Sequence, residues 1–269
     1  MAVAVRVLGD LVVMAHGEEI VVTAAKQRGL LRILALHRGG ALATDELVAL
    51  LWDGNPPKSA RTTLRGYVRR LRAAVAEPIV ESVAAGYRIA ASASVDLTEF
   101  HAKVAAARHC THPRRELELL REAVVLWRGD PLQGLTGDWA ETFSSELEQD
   151  RLHAVERLLR LELQVGDPGV IADTARKVLR HHPFREQLWH TLLSALHATN
   201  RTAEALAAYA EFRITLAHNL GIDPSPALRR LHQHLLDNTL VTPAARSGPP
   251  TRRSRPPRTP ARPRRRPRC

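Results

Sequence analysis

The stretch Pro56–Val75, PPKSARTTLRGYVRRLRAAV, limits what this chain can become more than any other part of it. Between Lys58 and Arg72 it holds six cations (Lys58, Arg61, Arg65, Arg69, Arg70 and Arg72) and no carboxylate. At helical spacing, Leu64, Val68, Leu71 and Val75 fall on one stripe. Lys58, Arg61, Arg65, Arg69 and Arg72 share a neighbouring face, and Thr62, Thr63 and Arg70 widen the exposed arc. The stretch is therefore expected to form a helix that docks one side on a small core and turns the other towards a polyanion. Such side chains suit the DNA major groove: Arg can grip guanine O6 and N7 in a fork, and Thr can hydrogen-bond or touch a thymine methyl. A merely solvated basic face is the other reading of this helix alone, so its surroundings must decide.

Ahead of it, Val3–Leu8, Leu11–Met14 and Ile20–Val22 are short β-rich runs, with a turn at His16-Gly17-Glu18. Ala24–His37 then turns helical, with Leu30, Leu31 and Leu34 inward, and Gly39-Gly40 is expected to stop it. Thr44 suits an N-cap, followed by Asp45 and Glu46 where a helix dipole favours acid. The helix Asp45–Leu51 follows, then Trp52 as a core plug and a turn through Asp53–Pro57. After the basic helix, Ile79–Ser82 and Tyr87–Ile89 are expected to pair as a hairpin across Ala84-Ala85-Gly86. Two helices joined by a turn, the second basic and followed by a hairpin, make a winged helix-turn-helix. Tyr87 and Arg88 are the wing's polar candidates, although a Tyr beside a hairpin turn also packs well on a core.

Beyond residue 92 the strand pattern stops. Amphipathic stretches follow one another: Leu97–His109, Arg114–Trp127, Trp139–Val165, Ile171–His181, Arg185–Thr199, Thr202–Leu220 and Pro226–Asn238. The breaks between them carry Pro, Gly or Asn. The series Trp189, Leu192, Leu196, Ala205 and Tyr209 matches the paired helices of a tetratricopeptide repeat, with Leu193 where that pattern usually has Gly.

Charge is unevenly placed along the 269 residues. Residues 1–92 carry 12 Lys/Arg against 8 Asp/Glu, residues 93–240 carry 17 against 20, and residues 241–269 carry ten Arg and no acid. A basic head, a slightly acidic body and a basic tail suggest nucleic-acid contact at one or both basic regions. The tail, with eight prolines, lacks the apolar surface to fold and is expected to be disordered. It is either a non-specific DNA tether or a dispensable extension. No apolar run has the roughly 20 residues needed to cross a bilayer, and no secretory signal is recognisable. Cys110 and Cys269 make no disulfide framework, which fits a reducing cytosol. The histidines, densest at His181-His182, His190, His197, His232 and His234, come without HExxH or a Cys pair at zinc spacing. Walker A, GxGxxG and GxSxG patterns are lacking too, so the sequence points to neither an enzyme nor a cofactor.

The segments VRVLG (Val5–Gly9), Ala24–Gly40, Leu51-Trp52, Pro56–Arg72 and GYRI (Gly86–Ile89) together resemble the response-regulator type of winged helix-turn-helix. With VLWRGDPL (Val125–Leu132), HPFREQLW (His182–Trp189) and Glu204–His232, the chain to about Leu240 resembles the antibiotic-regulatory proteins of actinobacteria, including their bacterial transcriptional activation domain. The resemblance, which stops before the tail, implies a mainly α fold; with the tail the chain reads in three parts. These are a winged helix-turn-helix (α+β) over residues 1–92, an all-α tetratricopeptide-like domain over 93–240, and the tail over 241–269. It implies an activator that binds direct repeats in double-stranded DNA, helps recruit RNA polymerase and switches on a secondary-metabolite gene cluster. Its helical domain would serve dimer contacts or partner binding, and its place would be the cytoplasm, on the nucleoid.

Arg61, Thr62, Arg65, Arg69 and Arg72 match the family's recognition-helix positions, with Lys58 and Ser59 at the phosphate-facing start. Position by position, Arg61, Thr62, Arg65 and Arg69 are expected at base edges, and Lys58, Arg70, Arg72 and Arg88 at phosphates. The wing, ESVAAGYRI, departs from the pattern by having no Arg ahead of its glycine. Two other functions fit a helical body of this kind: a scaffold whose head docks on protein, and a sensor that binds a small effector.

Overall fold

The computed structural model describes residues 3–37, 40–84, 86–165 and 167–240, with no side-chain description beyond residue 237. The expected disorder of residues 241–269 lies outside them, as does Gly39 of the expected helix stop. The head opens with β1 (Ala4–Arg6), β2 (Val12–Ala15) and β3 (Glu18–Glu19), then α1 (Ala25–Leu36), β4 (Leu42–Ala43), α2 (Thr44–Trp52) and α3 (Ala60–Val75). The hairpin β5 (Val80–Val83) and β6 (Gly86–Ile89) follows, then β7 (Ser94–Val95).

The body is helical throughout: α4 (Asp96–Arg108), α5 (Pro113–Val125), α6 (Asp138–Val165), α7 (Pro168–Leu179), α8 (Glu186–Ala198), α9 (Thr202–Leu220) and α10 (Pro226–Leu240). The fold is mainly α, with two small sheets. One runs β3-β2-β1-β7 and the other β4-β6-β5.

Three local expectations are corrected. The third strand is Glu18–Glu19 rather than Ile20–Val22; Ile20 and Val22 instead lay their side chains against the core from irregular backbone. Two short strands had no sequence signature. Leu42–Ala43 pairs antiparallel with Tyr87 and Gly86, and Ser94–Val95 pairs parallel with β1. Strands of two residues show no alternation to detect, because only their partners define them. Finally, Thr44 is the first residue of α2 rather than its cap. Ala43, held extended by β4, occupies the cap position, and no side chain caps this helix start.

Two hydrophobic cores organise the molecule. The first runs from Val3 to Leu161 and merges the head with α4, α5 and one face of α6. The second runs from Val155 to Leu235 and holds α7 to α10 together. The long α6 serves both. Ala154, Leu158 and Leu161 face the first core, while Val155 and Leu159, one residue out of phase, face the second. In the repeat-like part, Trp189 stacks on Phe212 with centroids 4.8 Å apart, and its indole N–H donates to the Pro183 carbonyl at 2.7 Å. Leu193, which stands where the repeat pattern has Gly, is fully buried.

Head and body are joined by buried polar bonds as well as by the shared core. The Asp96 carboxylate, at the start of α4, accepts the backbone N–H groups of Val7 (2.8 Å) and Leu8 (3.0 Å). It also receives the Arg128 guanidinium at 3.2 Å. Arg32 of α1, only 5% exposed, donates to the carbonyls of Gly9 and of Gln133, the latter in the α5–α6 connection. Gly9 has φ +132, and an added Cβ would sit 2.8 Å from the Gly129 backbone N, so the two chain segments touch backbone to backbone. Charged hydrogen bonds of this kind contribute about 1.5–3 kcal/mol each. The expected boundary at residue 92 falls inside this junction, two residues before β7 joins the sheet of β1.

Candidate nucleic-acid interface

The docking side of α3 is set by Ala60, Leu64, Val68, Leu71 and Val75, all buried. Burying that stripe forces Arg61, Thr62, Arg65, Arg69, Arg70 and Arg72 to the exposed side, with Lys58 and Ser59 exposed just ahead of the helix. Thr63 lies half-buried at the margin, its hydroxyl 3.4 Å from that of Ser59. The junction of α2 and α3 is tied by a stack of Trp52 on Tyr67, ring centroids 6.3 Å apart. Trp52 is thus half-buried in a stack, not a plug in the core. Lys26 lies over its ring and Arg70 over that of Tyr67, at 5.8 and 5.4 Å.

The sequence-selected cations fall into two groups. Lys58, Arg65 and Arg69 are exposed and make no ion pair among the described residues. The others have partners within the protein. Arg61 donates through Nε and Nη2 to the two Asp45 carboxylate oxygens, both at 2.7 Å. Arg70 lies on Tyr67. Arg72 donates to the Val80 carbonyl (2.9 Å) and the Ser82 hydroxyl (3.0 Å), which braces the wing against α3. Arg88 bonds Glu81 at 2.8 Å, and this bond, with the Ala91 backbone N–H, holds the Glu81 carboxyl below its usual range. The wing's expected cation is therefore offset by a neighbour. Tyr87 is half-buried and packs against the core.

These partners were legible to different degrees. The hairpin register sets Glu81 opposite Arg88, and pairing Val83 with Gly86 in the sequence leads to that pair by counting outward. Nothing in the spacing ties Asp45 to Arg61, because a turn intervenes and separates their helices. The histidines singled out from sequence do other work. His182 faces Glu148 at 3.0 Å, His197 faces the Thr202 hydroxyl at 3.1 Å, and His232 stacks on Tyr209. Burial and nearby Arg160 push His190 down. Among the described residues no group of three or more His, Cys, Asp or Glu is placed to hold a metal ion. No helix among them is long and apolar enough to cross a membrane.

Residues 95–236 match the bacterial transcriptional activator domain, and residues 17–89 match the C-terminal domain of transcriptional regulatory proteins. The chain belongs to the antibiotic-regulatory protein family. Among its relatives, the regulatory protein AfsR of Streptomyces coelicolor is 34% identical over 86% of this chain and 24% of its own length. This chain thus spans about a quarter of that protein. The regulatory protein DnrI of Streptomyces peucetius is 29% identical over 86% of this chain and 91% of DnrI. The solved structure of Mycobacterium tuberculosis EmbR in complex with a low affinity phosphopeptide superposes with a TM-score of 0.76 at 28% identity. That match covers 88% of this chain and 65% of the EmbR chain. Family members are transcriptional regulators, and the winged helix-turn-helix followed by a helical domain is the architecture they share.

Proposed function

We propose that this chain is a sequence-specific transcriptional activator whose α3 enters the major groove of double-stranded DNA. The observation that carries the reading is the exposed face of α3 and of the turn ahead of it: Lys58, Arg65 and Arg69 make no ion pair among the described residues, Thr62 lies between them, and the helix itself has no carboxylate. A helix of 16 residues with one buried stripe and one cationic face fits a groove and leaves its base-reading donors free. Arg65 and Arg69 read base edges, with Thr62 beside them, and Lys58 and Ser59 hold phosphate at the helix start.

The activator binds direct repeats near a promoter as a homodimer and contacts RNA polymerase through its helical body. Its targets are the genes of a secondary-metabolite cluster, and it acts in the cytoplasm on the nucleoid. A groove of about 620 Å³ between α7, α8 and α9, lined by Leu179, Trp189 and Leu192, gives the body an apolar surface for that partner. Footprinting tests the central claim. Wild-type protein protects a discrete site, and Arg65→Ala loses about 1–3 kcal/mol of affinity there while relaxing preference at one base pair. Smeared protection that Arg65→Ala leaves unchanged would favour a scaffold whose head docks on protein.

A further inference from the structure

Among the described residues, Arg61 is the one cation on the outer face of α3 that a carboxylate from another helix holds. Asp45 stands in the first turn of α2, and its Oδ1 and Oδ2 accept Nε and Nη2 of Arg61 at 2.7 Å each. Both side chains are about two-thirds exposed, at 67% for Arg61 and 69% for Asp45. An exposed pair of this kind does little for stability, because water screens the attraction and two side chains must be ordered to make it. Its geometry has another effect. The bond uses the Nε/Nη2 edge of the guanidinium and leaves the outer edge, Nη1 with the second hydrogen of Nη2, unengaged. That outer edge is a two-donor fork of the kind that meets guanine O6 and N7.

We propose that Asp45 is a specificity-determining residue that fixes Arg61 as a guanine reader. The inference rests on α3 being the helix in the groove. Holding one edge orders a long, flexible side chain before DNA arrives, so less conformational freedom is lost on reading the base. The carboxylate also cancels the local charge of Arg61, which lowers its attraction to phosphate while its outer donors stay available. A free Arg at the same place would serve any sequence through the backbone; a clamped one rewards guanine alone.

The test selects bound sequences from a randomised DNA duplex pool with full-length wild type, Asp45→Ala, Arg61→Ala, the double variant, and Glu46→Ala. Glu46 is the control, an exposed acid in the same first turn of α2, so its loss removes an equal charge at the same helix end. Expected is one guanine preference lost in Arg61→Ala and weakened about three- to tenfold in Asp45→Ala. The double variant should be no worse than Arg61→Ala at that position, and Glu46→Ala should keep the preference. Unselective binding by Asp45→Ala should rise, and its salt dependence should steepen by about 0.9 in log–log slope.

If Arg61→Ala loses a preference that Asp45→Ala keeps, the clamp has no role in reading and the proposal falls while α3 stands as the reader. Equal weakening by Glu46→Ala overturns it in favour of a general charge effect at the helix end. If wild type selects no motif at all, the reading of α3 fails and this inference with it.

Discussion

At single positions, the head is most sensitive where backbone approaches backbone. A Cβ on Gly86 would lie 1.8 Å from the Leu42 carbonyl oxygen, inside the pairing of β4 with β6. Gly86→Ala must therefore push β4 aside, and since β4 leads directly into α2, the helix start moves too. The expected cost is about 3 kcal/mol in urea unfolding, at the upper end of overpacking effects. Ala76 is the opposite case. It ends α3 with φ 56, in the left-handed region that glycine adopts without steric cost, and its side chain is exposed. Ala76→Gly should raise stability by about 0.5–1 kcal/mol in the same assay, with DNA affinity unchanged. The sequence puts Gly86 in the hairpin turn, whereas it is the first residue of β6, paired with Val83 and Ala43; the left-handed Ala76 is illegible too, because alanine carries no signal for that conformation.

Elements were more legible than their edges. The basic helix was evident from Leu64, Val68, Leu71 and Val75, and all four are buried. All seven helices expected in the body occur, with ends shifted by at most a few residues, because Pro and Gly mark their breaks. What could not be read was how one element ties to another. Glu204 shows the kind of bond involved. At the start of α9 it accepts two bonds from Arg201 at 2.7 Å and one from Arg176 of α7 at 3.1 Å. Arg201 first and then Arg176 hold its carboxyl at about 2, below the ordinary 4.5. A depressed carboxylate contributes stability that is complete above its ordinary value and fades as pH falls towards the depressed one. Wild type should therefore melt above Glu204→Gln at pH 7, and the gap should close between pH 4.5 and pH 2. A gap independent of pH would mean that the carboxylate's charge does not tie α9 to α7.

For the whole molecule, the head shares one hydrophobic core with the first helices of the body. Its core continues through Phe100, Leu117 and Leu120 to Leu147 and Leu158 of α6, and Asp96 and Gln133 supply hydrogen-bond partners for Val7 and Leu8, just after β1, and for Arg32 of α1. A fragment ending at residue 92 discards all of these; one ending at residue 165 keeps them. The shorter fragment should melt at least about 10 °C below the longer, equivalent to about 2 kcal/mol, as followed by circular dichroism. The shared α6 also has a mechanical meaning. Its 28 residues make a rod of about 42 Å. Because it is built into both cores, it offers no swivel between them. Two copies held together by their bodies could not re-aim their heads one at a time. The duplex between neighbouring repeats would have to twist or bend to meet them, so base pairs that no side chain touches would help to choose the promoter through their stiffness.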